Sequence, residues 1–213
     1  QEKFLSHVID CNERHVNNLI KNCINSKAKM DKIITEIIIP TIPHIQKLFD
    51  DGKIGKSEEQ LMTGIISNSL QMITYHAGHS DSGKNIIILS ADSESILSSE
   101  SAAAAFRSQN WNVFSIGDIS SSIDVLFDLE LRKLLSKTWK SKDGVMIVLV
   151  FSQTEEGLKF ISDSFYSVKE KSENNLFIVL SGKTGKKVKI KGDLSASKLE
   201  DILQWSNTKY ENS

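Results

Sequence analysis

Cysteine, proline and any excess of charge are scarce in this chain. Its 213 residues hold two cysteines, Cys11 and Cys23. Their spacing is not C-x-x-C, which excludes a cysteine zinc site or a dithiol redox motif, and such usage suits a reduced, cytoplasmic setting. The formal net charge is −1, from 26 basic and 27 acidic residues mixed throughout. No basic face for nucleic acid and no acidic tail follows from that balance. No apolar run reaches the length of a membrane span. Gln1-Glu2-Lys3 does not read as a secretory leader. The two prolines, Pro40 and Pro43, and 11 glycines leave no low-complexity linker and no internal repeat.

What the chain does contain is apolar periodicity of two kinds. Up to about residue 77 the period is helical. Val16, Leu19, Ile20, Cys23 and Ile24 form one stripe; Met30, Ile33, Ile34, Ile37 and Ile38 form another. Pro40 and Pro43 predict a kink or restart, because proline removes a donor and clashes one turn back. Ile42, Ile45, Leu48 and Phe49 continue the stripe until Gly52, which suits a left-handed cap. Ser57-Glu58-Glu59-Gln60 reads as a capping box opening a fourth helix, with Met62, Ile65, Ile66, Ser69 and Ile73 on its inner face. Four such helices predict an antiparallel bundle over 1–79. Tyr75 to Lys84 reads as a linker.

From 80 to 213 the pattern alternates. Strands are predicted at 86–90, 112–116, 145–151 and 176–181, with a short one near Val188 to Lys191. Helices are predicted at about 95–108, 121–138, 155–171 and 196–206. This is a doubly wound, Rossmann/flavodoxin-like α/β domain with a five-stranded parallel sheet. With strand order 2-1-3-4-5, the switch point falls at the loops Ser90–Ser95 and Phe151–Glu156, where ligands sit in such sheets.

A helical bundle followed directly by a five-stranded α/β domain resembles the cobalamin-binding module of corrinoid methyl carriers, methionine synthase and light-sensing repressors. The run Pro40 to Leu61, PTIPHIQKLFDDGKIGKSEEQL, is similar to the family's bundle motif. The resemblance puts Phe49 at the position of a tryptophan that covers the upper face of the corrin. It puts Glu59-Gln60 where Glu-His is expected. In the α/β half the family carries D-x-H-x-x-G, whose histidine ligates cobalt. Counting back from Trp111, those three positions hold Ser93, Ser95 and Ser98. Later family marks match Ser152-Gln153-Thr154 and Ser181-Gly182. No histidine follows His79 in the sequence, and a serine hydroxyl is a poor cobalt ligand beside imidazole.

The resemblance therefore implies cofactor-facing positions Phe49, Glu59, Gln60, Ser95, Ser98, Ser152, Thr154, Ser181 and Gly182, with no metal ligand and no catalytic residue. It implies a non-enzymatic sensory or regulatory module, of the photoreceptor or transcription-regulating kind. Such a module binds cobalamin, haem or a similar tetrapyrrole, or has lost the ligand and works by protein contact. Its partner is a regulatory protein or a fused effector domain, with a homo-oligomer as a further expectation. The alternative is a corrinoid carrier for methyl transfer with base-off cobalamin.

Plainer readings stand beside these. Phe49 suits a helix core, Gln60 a capping box, and Ser95, Ser98 and Ser99 a polar helix start. His76 and His79 suit either a haem or metal pair or a solvated linker. Ser181-Gly182-Lys183-Thr184 is not a phosphate loop, since Phe177 stands where the first glycine is needed and no helix pattern follows.

Overall fold

The computed structural model describes residues 1–78, 80–122, 127–169, 174–182 and 190–213. By internal packing they form two units, Gln1–Gly78 with Ala104–Gln109, and His79–Ala103 with Asn110–Ser213.

The first unit contains α1 (Glu2–Ile9), α2 (Glu13–Asn25), α3 (Met30–Lys32), α4 (Ile42–Asp50) and α5 (Lys56–Tyr75). Its apolar stripes point inward: Phe4, Val8, Val16, Ile20, Ile33, Ile34, Ile38, Ile45, Met62, Ile65, Ile66, Leu70 and Ile73 are buried. The proline pair does not break the path. Between α3 and α4 the backbone widens into a π-helix at Ile33–Ile38 and then tightens into a 3₁₀ turn at Ile39–Thr41. A wider turn accommodates a residue that cannot donate in the ordinary ladder. The Thr41 hydroxyl, buried, donates to the Ile37 carbonyl at 2.9 Å. Gly52 closes α4 at φ +68.

The expected capping box is displaced. The cap of α5 is Gly55, not Ser57, and the Glu58 carboxylate accepts from the Gly55 N–H at 2.8 Å. Glu58 therefore does the work expected of Gln60. Gly55 takes the cap in extended backbone, φ −84 and ψ 170. At the other end of α5 the ring of His76 reaches the Met72 carbonyl, 2.8 Å from Nδ1. That contact satisfies one of the orphan groups a helix end leaves. His79 lies outside the described residues.

The second unit is a parallel sheet in the order β2-β1-β3-β4-β5. The strands are β1 (Asp81–Ser90), β2 (Trp111–Asp118), β3 (Val145–Ser152), β4 (Leu176–Gly182) and β5 (Leu194–Ser195). The helices are α6 (Ile96–Ser108), α7 (Phe127–Thr138), α8 (Glu155–Val168) and α9 (Leu199–Glu211). All eight residues of β3 are buried, as expected of a central parallel strand. Ile87, Leu89, Val148, Val150, Leu158, Ile161, Phe165, Ile178 and Leu180 belong to one apolar cluster beneath α8 and α7.

The last strand differs from expectation. Val188 and Lys189 lie outside the described residues, Ile190 and Lys191 are not strand, and β5 is the pair Leu194–Ser195. Asp193 sets this register: its N–H donates to the Ile178 carbonyl at 3.0 Å, and its carboxylate accepts from the Ile178 N–H at 2.8 Å. No described helix is long and apolar enough to cross a membrane.

Candidate functional site

The strand order puts the reversal of the sheet between β1 and β3, and their carboxyl ends are joined by one side chain. Asp92 sits in extended backbone just past β1 and caps a 3₁₀ turn at Ser93–Ser95. Its Oδ1 accepts from the Ser95 N–H at 2.9 Å. Its Oδ2 accepts from the Ser152 hydroxyl and the Gln153 N–H, each at 2.7 Å. The Ala91 N–H adds a backbone bond to the Phe151 carbonyl at 2.9 Å. Burial works to raise the Asp92 pKa, but hydrogen bonds from Ser152, Ser95 and Gln153 outweigh it and hold the carboxyl below the usual aspartate value.

The staple continues into α8. The Ser152 hydroxyl accepts from the Thr154 N–H at 3.0 Å, and Thr154 caps α8 by accepting from the Gly157 N–H at 3.2 Å. Space here is short. A Cβ on Gly157 would lie 2.8 Å from the Ser152 hydroxyl, and one on Gly182 would lie 1.8 Å from the Ser152 carbonyl oxygen. Both glycines are thus required by the packing of the loops on each other.

The candidate positions divide between the units. Ser95, Ser152, Thr154, Ser181 and Gly182 lie at the carboxyl ends of β1, β3 and β4, with Ser181 and Gly182 in register with Phe151 and Ser152. Ser98 is half-buried on the first turns of α6. Ser99 and Ser101 are buried there, bonding back to the Ile96 and Leu97 carbonyls. In the bundle, the Lys56 ammonium lies 5.1 Å from the centre of the half-buried Phe49 ring and pairs with Glu59. Gln60 is exposed.

Ser95 is the anomaly. Its side chain is fully buried, and its hydroxyl makes no well-formed hydrogen bond among the described residues, though it lies near enough to the Asp92 carboxylate to favour that group's charged form. Ser95 is the position to which the resemblance assigns the family's cobalt-ligating histidine. Among the described residues no group of three or more His, Cys, Asp or Glu could hold a metal ion. A hydroxyl is a hard donor that cobalt passes over for imidazole. The elbow therefore does not fit a protein-ligated cobalt.

Asp92 is the site residue that sequence reasoning passed over. Its side-chain hydroxyl and backbone amide partners across the sheet lie 60 and 61 positions away. The extended strand end followed by Asp and a hydroxyl three residues on was the one available signal for a cap.

Comparison with known proteins agrees with the bundle and the fold. Residues 1–74 match the model of a family described as B12 binding domain. No curated protein matches the chain. Among solved structures, the monomethylamine corrinoid protein of Methanosarcina barkeri superposes with a TM-score of 0.71 at 14% identity. That match covers 99% of this chain and 97% of that one. A cobalamin-binding protein from Desulfitobacterium hafniense DCB-2 gives a TM-score of 0.45 at 13% identity, over 98% and 97% of the two chains. The methanol:cobalamin methyltransferase complex of Methanosarcina barkeri gives 0.43 at 12%, over 99% and 79%.

Proposed function

We propose that this chain, whose residues 1–74 match the model of the B12 binding domain family, is a non-catalytic regulatory module that donates no ligand to cobalt. The observation that carries this reading is the elbow. The Asp92 carboxylate has its two oxygens committed to Ser95, Ser152 and Gln153, and Ser95 offers only a buried hydroxyl where an imidazole would be needed. Such an elbow holds itself together without a cofactor. Of the tetrapyrroles, the family favours cobalamin; nothing in the comparisons favours haem. A corrinoid would supply a flat ring and its polar side groups for recognition. The output would then be protein contact with a regulatory partner or an attached effector, in the manner of a sensor.

The test is a titration of the purified chain with hydroxocobalamin, followed by absorption spectroscopy, beside a Ser95→His variant. Wild type is expected to show no imidazole-ligated spectrum. The variant is expected to show one, or to bind more tightly. A protein-ligated, base-off spectrum from wild type would overturn the reading.

A second reading is a corrinoid carrier for methyl transfer, holding base-off cobalamin without a protein ligand. Its support is the near full-length likeness in fold to a methylamine corrinoid protein. It requires a methyltransferase partner. Enzyme-dependent loss of the methyl group from methylcobalamin bound to this chain would favour it over the regulatory reading.

A further inference from the structure

The turn between α1 and α2 carries two imidazoles that nothing above uses. His7 lies in the last turn of α1 and His15 in the first turn of α2, with ring centres 5.0 Å apart and planes tilted by 34°. We propose that His7 and His15 form a site for a late first-row divalent metal ion, with water completing the coordination. Zinc is the test metal, because borderline ions of this kind favour imidazole nitrogen.

The geometry around Asn12 carries the argument. Asn12 caps α2, its Oδ1 accepting from the His15 N–H at 3.3 Å, which fixes which end of the amide is oxygen. The same Oδ1 lies 2.8 Å from His15 Nδ1. A carbonyl oxygen only accepts, so Nδ1 carries the hydrogen and Nε2 is left with a bare lone pair. A carbonyl that orients an imidazole in this way is the usual support of a metal-ligating histidine. Asn12 also binds the other half of the turn, since its N–H donates to the His7 carbonyl at 2.8 Å. One residue thus orients the His15 ring and ties its helix to the backbone of His7.

Both rings can be reached from solvent, His15 being exposed and His7 half-buried. Cys11 lies in the turn, but its sulfur is turned to the Ile9 carbonyl at 3.9 Å, and the site does not need it. The absence of a third ligating side chain among the described residues makes this a two-imidazole site, open to water or to an external donor. A metal held here links α1 to α2. Binding to the folded bundle alone then appears as added stability.

The experiment is calorimetric titration of the tag-free full chain with zinc chloride, with thermal melts in parallel. One saturable site is expected, with a zinc-dependent rise in Tm. His7→Ala and His15→Ala should each weaken binding at least tenfold and abolish the rise. Asn12→Ala should weaken it by about 10–100-fold with both ligands present, the signature of a positioning residue. Circular dichroism without metal separates loss of folding from loss of binding, and Asn12→Asp, which keeps the cap and the acceptor, should restore affinity. Cys11→Ser should leave affinity unchanged. The proposal is overturned by no saturable binding at millimolar zinc. It is equally overturned by unchanged affinity in folded His7→Ala and His15→Ala proteins, or by loss on Cys11→Ser alone.

Discussion

Asp92 and Ser95 stand three residues apart and have opposite energetics. The Ser95 hydroxyl is buried without a well-formed hydrogen bond among the described residues, which costs about 1–3 kcal/mol for a polar group taken out of water. Ser95→Ala is therefore expected to stabilise the α/β unit by about 1 kcal/mol, measured by urea unfolding. Asp92 is the converse, a carboxylate receiving three hydrogen bonds. Its folded pKa lies below its unfolded one, so its contribution is fully present above about pH 4, the ordinary aspartate value. That contribution is lost as pH falls through the folded pKa. The stability gap between wild type and Asp92→Asn should accordingly be largest near neutrality and narrow as the pH falls below about 4, read from urea midpoints at successive pH values. The site was legible only in part at this scale. The serines at the elbow could be counted from Trp111. That Asp92 would bind Ser152 could not, because such pairing depends on which two strands the fold sets side by side.

The helices and strands were more legible than their ends. Apolar spacing identified α2 to α5 and β1 to β4, because burial of one face dominates their energetics, whereas the short α1 (Glu2–Ile9) was not read as a helix of its own. It misjudged the start of α5, where Gly55 rather than Ser57 caps the helix and Glu58 closes the box. This misreading has a direct check. Glu58→Ala should cost about 0.5–1 kcal/mol, in the range of a lost cap interaction, whereas Ser57→Ala should stay within about 0.5 kcal/mol, as exposed surface changes do. Equal losses from both variants would restore Ser57 to the cap. The proline pair was read as an interruption, and the chain instead passes through π and 3₁₀ turns. Periodicity reports which residues face inward, not how tightly the backbone winds between them.

For the molecule as a whole, the alternation of strand and helix predicted a parallel doubly wound sheet, and the order β2-β1-β3-β4-β5 is the one expected for it. The two-residue β5 was beyond reach, since its register comes from Asp193 bonding the backbone of β4. The formal charge of −1 and a pI near 6.6 leave little repulsion between copies at neutral pH. Solubility is expected to pass through a minimum near that pI and to rise on either side, measured by precipitation with polyethylene glycol across pH.

The fully buried strand Val145–Ser152 also bears on how the chain is made. It reads Val-Met-Ile-Val-Leu-Val-Phe-Ser, with no charge, proline or glycine, a composition prone to stacking with its like. At ribosomal speed, the neighbour that covers its second edge, Leu176–Gly182, follows about one to five seconds behind. During that interval one side of the stickiest segment has nothing of its own to pair with. Abundant synthesis, which brings many newborn chains together within that interval, should therefore convert them into insoluble deposits, and weaker expression at the same temperature should spare them.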